Sequence, residues 1–357
     1  MEVNKYKLSD LLVIKNGKDY KHLEEGAIPV FGSGGYMLSI SSFLYDKPSI
    51  LLPRKGTLSN IQYYNKGKFW TVDTCFYSMI NEQLCDGYYL FRYLRSLDLS
   101  RYDTGASIPS MTQKTYNSMK IFLPSLLIQQ KIASILSTYD TLIENNNRRI
   151  RLLEQMAENL YKEWFVRFRF PGHEKMENGL PKKWKIKRYE DELNIRYGKG
   201  LATEQLQEKG YPVFGSNGQI GFYKSYMYDK PQILISCRGA SSGVVNISLP
   251  KSFITSNSLV CERNNSTESE FEYLKYYFLN TNLMQYQTGS AQPQITINNI
   301  KRLKLLIPEI NVQRKFSKRV KAIDSEIFNL QHQNTLLTRQ RDLLLPRLMS
   351  GKLEVKP

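Results

Sequence analysis

Two short polar loops in this chain carry the residue types that hold phosphates and read base edges. Arg54-Lys55-Gly56-Thr57 and Arg238-Gly239-Ala240-Ser241-Ser242 each place a cation and hydroxyls on a tight loop behind an apolar run. Arginine suits the acceptor edge of guanine, whereas lysine and the hydroxyls suit phosphate oxygens. Ser33-Gly34-Gly35 and Ser216-Asn217-Gly218 are small turns that let backbone amides approach a surface closely, and a plain hairpin turn explains each of them equally well. Thr104-Gly105-Ala106-Ser107 and Thr288-Gly289-Ser290-Ala291 repeat a frame whose followers diverge: Ile108, Ser110 and Met111 in one, Gln292, Gln294 and Ile295 in the other. Glutamine suits bidentate contact with adenine, so two readers of different sequences would have this form; drift between duplicates accounts for any single position as well. The candidate nucleic-acid contacts are Ser33, Gly34, Arg54, Lys55, Thr57, Ser107, Ser110 and Lys114, and then Ser216, Asn217, Arg238, Ser241, Ser242, Ser290, Gln292 and Gln294.

Catalytic chemistry is not expected. No GxxxxGK[ST] phosphate loop occurs, and His22, His173 and His332 are scattered too widely for a metal or acid-base cluster. There is no Asn/Asp-Pro-Pro-aromatic loop for amino-group methylation and no Pro-Asp followed by Glu-x-Lys for a metal-dependent nuclease. Cys75, Cys85, Cys237 and Cys261 lack CxxC spacing and do not recur in both halves, which reads as reduced packing thiols. An enzyme with an unrecognised active site, such as a stand-alone nuclease, is the rival class.

The elements that position these loops are written twice. Ile28-Pro29-Val30-Phe31-Gly32-Ser33-Gly34-Gly35 is answered by Tyr211-Pro212-Val213-Phe214-Gly215-Ser216-Asn217-Gly218, YDKPSILL from Tyr45 by YDKPQILI from Tyr228, and TGASIPSMT by TGSAQPQIT. The three matches keep their order at offsets of 183 to 184 residues, which argues for duplication. Ser49-Ile50-Leu51-Leu52 and Phe69-Trp70-Thr71-Val72 read as strands, and GYYLFRYLRSL from Gly87 reads as a helix.

Each module is followed by a long stretch without Gly or Pro, 128–165 and 309–345. In the first, Ile132, Leu136, Tyr139, Ile143, Asn146, Ile150, Leu153, Ala157 and Leu160 recur at alternating steps of four and three, the seam of a coiled coil. In the second the seam is Phe316, Val320, Ile323, Ile327, Leu330, Asn334, Leu337, Arg341 and Leu344. Its polar positions Asn146, Asn334 and Arg341 would fix register, or else face a partner. Burying both seams requires antiparallel helices about a near two-fold axis. The first, roughly 57 Å long, exceeds the roughly 34 to 36 Å of one DNA turn, so it would act as a ruler between two readers. The expected organisation is globular module 1–124, helix 125–166, linker 167–183, globular module 184–308, helix 309–346 and a loosely held tail 347–357. The fold class is α+β, with a pseudo-two-fold internal repeat and neighbouring chain ends.

The totals agree. The 357 residues allow two cores and a spacer, 41% hydrophobic content is enough to fold, and 50 Lys+Arg against 33 Asp+Glu leaves +17, the balance of a chain that meets a polyanion. No signal peptide or long apolar run is evident, so a cytoplasmic setting without membrane contact is expected.

With these residues in hand, the chain resembles the specificity subunit of type I restriction-modification systems over essentially its whole length. IPVFGSGG and YPVFGSNGQIG, TGAS and TGSAQP, QQKIASILSTYDTLIENNNRRI, VQRKFSKRVKAIDSEI and the final RDLLLPRLMSGKLEV carry the resemblance. It implies two target-recognition domains that each read half of a split, asymmetric double-stranded DNA site, with the helices setting the gap. It also implies docking of two methyltransferase subunits for adenine-N6 methylation and of motor-nuclease subunits for restriction. S-adenosylmethionine, ATP and Mg²⁺ would then belong to those partners, none to this chain. The alternatives are an orphan sequence-specific DNA-binding chain and a scaffold without restriction partners.

Overall fold

The computed structural model describes the chain except for Met1, Thr104, Ala106, 173–175, Asn178, Asn265, Ser290, Ala291, Glu354, Lys356 and Pro357. It comprises two compact units, 1–147 with 332–357, and 148–331. Each unit is therefore a globular module together with part of each long helix.

In unit one the order is β1 (Asn4–Lys7), α1 (Leu8–Leu11), β2 (Leu12–Asn16), β3 (Glu25–Gly32), β4 (Gly35–Ile40), β5 (Ser49–Pro53), β6 (Gln62–Tyr64), β7 (Trp70–Thr71), β8 (Cys75–Ile80), α2 (Gly87–Ser96), α3 (Gln113–Asn117), β9 (Lys120–Leu123) and α4 (Leu126–Tyr161). The strands form sheets ordered β2-β8-β5-β6, β4-β3-β7 and β1-β9. Strand β5 is apolar at successive positions because all five of its residues are buried. Helix α2 is capped by Asp86, whose carboxylate accepts from the Tyr89 amide at 2.8 Å, and it buries Tyr89, Leu90, Phe91 and Leu94.

Unit two repeats the plan after a small hairpin of β10 (Met176–Glu177) and β11 (Leu180–Pro181). Then follow β12 (Lys185–Arg188), α5 (Tyr189–Glu192), β13 (Leu193–Tyr197), β14 (Tyr211–Gly215), β15 (Gly218–Tyr223), β16 (Ile233–Ser236), β17 (Val245–Ile247), β18 (Phe253–Ile254), β19 (Ser258–Arg263), α6 (Phe271–Leu279), α7 (Ile297–Ile300), β20 (Lys304–Ile307) and α8 (Ile310–Met349). Its sheets, β13-β19-β16-β17, β15-β14-β18 and β12-β20, match those of unit one strand for strand. Both three-stranded sheets pair their last strand in parallel, β3 with β7 and β14 with β18.

The seam residues lie where the helices pack. Ile132, Leu136, Asn146, Ile150, Ala157, Phe316, Val320 and Leu330 are buried, and Tyr139, Ile143, Leu153, Leu160, Ile323, Ile327, Asn334, Leu337, Arg341 and Leu344 are half-buried. Within unit one the strands of the pair run antiparallel: Asp140 meets Arg341, and Asn146 donates to Asn334 Oδ1 at 3.0 Å. Asn334 in turn donates to Asn147 Oδ1 at 2.9 Å, so Asn334 has both its donor and its acceptor satisfied across the pair, which fixes register. Within unit two the sense is the same, Arg149 pairing with Glu326 while Phe165 packs on Phe316 at 4.9 Å.

One device joins helix to module in both units. Gln129 and Gln313 are fully buried, each at the first turns of its long helix. The Gln129 carbonyl accepts the Asp86 amide at 3.0 Å while its Nε2 donates to Pro124 O at 2.9 Å. The Gln313 carbonyl accepts the Glu270 amide at 2.8 Å and its Nε2 donates to Pro308 O at 2.8 Å. A second tie is Asp140, held by Tyr88, Arg92 and Arg341, with Asp324 taking Lys275 and Tyr276 in the other unit.

Two expectations need correction. The second helix does not stop at 346: it continues to Met349 with Pro346 inside it, and residues 347–353 are not a loose tail. Pro346 forfeits the amide bond to the residue four before it and crowds that carbonyl, and the last turn is held despite this by Leu348, 2% exposed in the core of unit one, with Val355 packed on that core. Leu353 N–H closes on Arg347 O at 3.0 Å, as Arg169 N–H closes on Glu163 O at 2.7 Å after α4. The start of the supposed linker is likewise packed down, since Phe170 stacks on Trp184 at 5.4 Å and Phe168 meets the same ring edge-on.

Replacing Gln129 by Leu orphans the half-buried Asp86 amide and the Leu84 and Pro124 carbonyls, and is expected to cost about 2 kcal/mol in urea unfolding; a cost below about 0.5 kcal/mol would show that the clamp is dispensable. Burial pushes the Asp140 carboxyl up, but the Tyr88 hydroxyl and the Arg92 and Arg341 guanidinium groups outweigh it and hold the pKa below the ordinary value. Its contribution is therefore present above the unfolded carboxylate pKa of about 3.9 and lost as pH falls through the lower folded value. The stability gap between wild type and Asp140→Asn should accordingly be wide at neutral pH and close at strongly acid pH.

Candidate nucleic-acid interface

In unit one Ser33 and Gly34 connect β3 to β4, with Gly32 paired to Gly35 across the turn. Gly35, at φ +117°, supplies the left-handed conformation that closes it, as Gly218 does at +89° in unit two. The turn is clamped from below by two amides: Asn60 Nδ2 donates to Ser33 O at 2.7 Å and Gln62 Nε2 donates to Gly32 O at 3.1 Å. The loop after β5 then pairs with the stretch that precedes α3. Gly56 N–H donates to Pro109 O at 2.8 Å, Met111 N–H donates to Arg54 O at 3.0 Å, and Lys55 lies opposite Ser110. A Cβ on Gly56 would sit 3.4 Å from Ser33 Oγ, so the three loops meet. Arg54, Lys55, Thr57, Ser107 and Gly34 are exposed there, and Ser33 and Ser110 are half-buried. Lys114 is exposed on α3, outside the contacts that join the loops.

Unit two rebuilds the ladder between the second and third loops bond for bond. Gly239 N–H donates to Pro293 O at 3.0 Å, Ile295 N–H donates to Cys237 O at 3.0 Å, and Arg238 lies opposite Gln294. Ser216 O in the β14–β15 turn accepts from the Ser236 hydroxyl and from Asn246 Nδ2, the latter at 3.3 Å. Asn217, Arg238, Gln292 and Gln294 are exposed, whereas Ser216 and Ser241 are half-buried. By these bonds Arg238 is the counterpart of Lys55, and Arg54 corresponds to Cys237, which is buried and whose thiol is pushed up by that burial. The first cluster thus offers two cations where the second offers one cation and two glutamines.

Ser242 must be withdrawn as a contact. It is fully buried, its Oγ has no partner, and its carbonyl is taken by Gln287 Nε2, because the loop folds back under β16 after Gly239. Ser290 lies outside the described residues.

Sequence reasoning missed side chains on the same rim. Tyr36 and Met37 on β4 are 63% and 47% exposed, and Gln219 and Ile220 stand at the matching places on β15. The signal was there: the strand following each turn puts two large residues where the alternation should hide one. Asp103, whose carboxylate accepts from Gly105 and Ser110, was missed too, although Asp two residues before Gly is a turn signature.

Among the described residues, no three His, Cys, Asp or Glu side chains converge as metal ligands would, and no helix is long and apolar enough to cross a membrane. A concavity of about 890 Å³ in unit two is lined by Ile247, Leu249, Phe271 and Phe328 with Lys230 and Arg263.

The family profile described as the type I restriction modification DNA specificity domain matches residues 1–155 and 181–338. The chain belongs to that family. Among its curated relatives, the type I restriction enzyme MjaIX specificity subunit of Methanocaldococcus jannaschii is 26% identical over 299 residues, 75% of this chain and 69% of the relative. The EcoprrI specificity subunit of Escherichia coli is 25% identical over 197 residues, 53% of this chain and 46% of the relative. The crystal structure of the type I restriction-modification S subunit from M. genitalium superposes with a TM-score of 0.66 at 19% identity, covering 98% of this chain and 96% of that one. The expected α+β specificity-subunit fold, two recognition modules with two long helices, is the one observed.

Removing a buried hydroxyl that has no partner should not destabilise this specificity-family chain. Ser242→Ala is expected to be neutral or stabilising by up to about 1 kcal/mol in urea unfolding, and a loss larger than that would reveal a partner for the hydroxyl.

Proposed function

We propose that each loop cluster reads one half of a split, asymmetric site in double-stranded DNA, and that the chain directs an adenine-N6 methyltransferase to that site without itself catalysing a step. The observation that carries this reading is the repeat of backbone bonds without a repeat of side chains. Lys55 with Ser110 and Arg238 with Gln294 occupy the same ladder positions, so a shared frame holds different hydrogen-bonding groups at its rim. Arg54 and Lys55 favour phosphate and guanine, whereas Arg238 with Gln292 and Gln294 adds groups suited to adenine.

Partner docking is supported by apolar side chains left in solvent on the long helices. In unit one, Ile135 and Leu142 on α4 and Leu336 and Leu343 on α8 are exposed at heptad spacing. In unit two, Leu152 and Met156 on α4 and Phe328 on α8 are exposed. Such stripes suit partner helices. Two methyltransferase subunits would occupy them, and motor-nuclease subunits would join for restriction in the cytoplasm. S-adenosylmethionine, ATP and Mg²⁺ would be bound by those subunits.

The test is co-expression with a methyltransferase subunit and single-molecule sequencing of host DNA for N6-methyladenine. The expected result is a new motif of two defined blocks around a fixed gap, and exchange of residues 1–123 for another member's domain should change one block alone. An unchanged motif after exchange, or loss of both blocks together, would overturn the reading. Binding of the complex to DNA should also weaken steeply with salt, as phosphate contacts require.

A further inference from the structure

The third loop of each cluster is closed by hydrogen bonds, and among the described residues of the first cluster a side chain takes part. In unit two the closure is backbone to backbone: Gln294 N–H donates to Thr288 O at 2.9 Å, and Thr288 N–H donates to Gln294 O at 2.8 Å. In unit one Ser110, the counterpart of Gln294, gives its amide to a side chain. A single oxygen, Asp103 Oδ1, accepts both Ser110 N–H and Gly105 N–H at 2.8 Å. The counterpart of Asp103 is Gln287, which reaches away to Ser242 O.

This carboxylate is out of place by composition. It is exposed, on a rim that carries Arg54, Lys55 and Ser107 and that meets a polyanion in the reading proposed above. A negative charge there repels phosphate, so its presence calls for a compensating role. The geometry supplies one. The loop doubles back so tightly that a Cβ on Gly105 would lie 1.9 Å from Ile108 O, and Asp103 ties the two ends of that fold together. Ser110 then sits opposite Lys55, while its neighbours Pro109 and Met111 bond Gly56 and Arg54. The two amides, Ser110 first, hold the Asp103 carboxyl below its ordinary pKa, so it is ionised at neutral pH and accepts at full strength.

We infer that Asp103 is a positioning residue of the first reader: its carboxylate sets the place of Ser107 to Ser110, and through the Ser110–Lys55 pairing the aim of Arg54 and Lys55, so that recognition of one half-site hangs on it. In the second reader the matching amide, that of Gln294, goes to the Thr288 backbone carbonyl. This inference rests on the DNA-reading function, and the experiment separates the two.

The full chain in complex with its methyltransferase partners is competed against three duplexes: the mapped site, the site with the first module's half scrambled, and the site with the other half scrambled. Asp103→Ala should lower discrimination at the first half by about tenfold, the cost of one misplaced base contact, and leave the second half unchanged. Asp103→Asn keeps an oxygen able to accept both amides, so it should restore discrimination while non-specific binding tightens. An Asp103→Ala complex that discriminates like wild type overturns the assignment. So does an asparagine variant as defective as alanine, which would mean that the charge acts directly, and so does equal loss at both halves with a lowered melting temperature, which would mean a merely structural role. A wild-type complex that discriminates neither half overturns the DNA-reading function itself, and the assignment with it.

Discussion

A buried primary amide must find partners for both its ends, and in this chain that requirement decides how helix and module are joined. Gln129 and Gln313 sit in apolar surroundings where an unpartnered donor or acceptor is costly. Each has one arrangement that satisfies it, with the preceding proline carbonyl on one side and the amide at the start of a short helix on the other. That fixes where α2 and α6 begin relative to α4 and α8. The sheets follow, because α2 packs Tyr89 and Leu90 into the same core that receives β5 and β8. Asp140 and Asp324 add a second point of attachment further along, which prevents rotation about the first.

The duplication is tightest in the backbone and loosest at the rim. Ladder bonds at Gly56 and Gly239, at Met111 and Ile295, and at the closing turns after α4 and α8 recur with nearly the same lengths. Most exposed side chains at the rim do not recur. Tyr36 faces solvent where the other copy has Gln219, and Arg54 corresponds to a buried cysteine. Backbone bonds tolerate any side chain that leaves the main-chain conformation alone, so the frame persists while its surface diverges.

Much of this was legible in the sequence for reasons of periodicity. The heptad seams announced both helices because every third or fourth residue must be apolar to be buried, and the two internal copies announced the paired sheets. The strand over Ser49 to Leu52 was legible as an unbroken apolar run. What the sequence concealed depends on contacts between distant residues. Pro346 reads as a stop signal, and only the burial of Leu348 against unit one explains why the helix passes through it. Ser242 reads as a loop hydroxyl, and only the fold of the loop beneath β16 buries it. The glutamine clamps look like ordinary polar residues at a helix start until their distant partners, the Asp86 and Glu270 amides 43 residues away, are in place.

The ladder that joins the second and third loops has a consequence for how such a chain can change. Its bonds at Lys55, Ser110, Arg238 and Gln294 neighbours are all made by main-chain atoms, and three of those four side chains project into solvent. A substitution there removes no buried area and orphans no buried group, so its folding cost is near zero. Positions that cost nothing to alter are searched quickly by random mutation, and here they coincide with the rim proposed to meet DNA. New recognition can therefore arise by single steps without first accumulating stability to spend, a route closed to proteins whose binding residues also hold the core together.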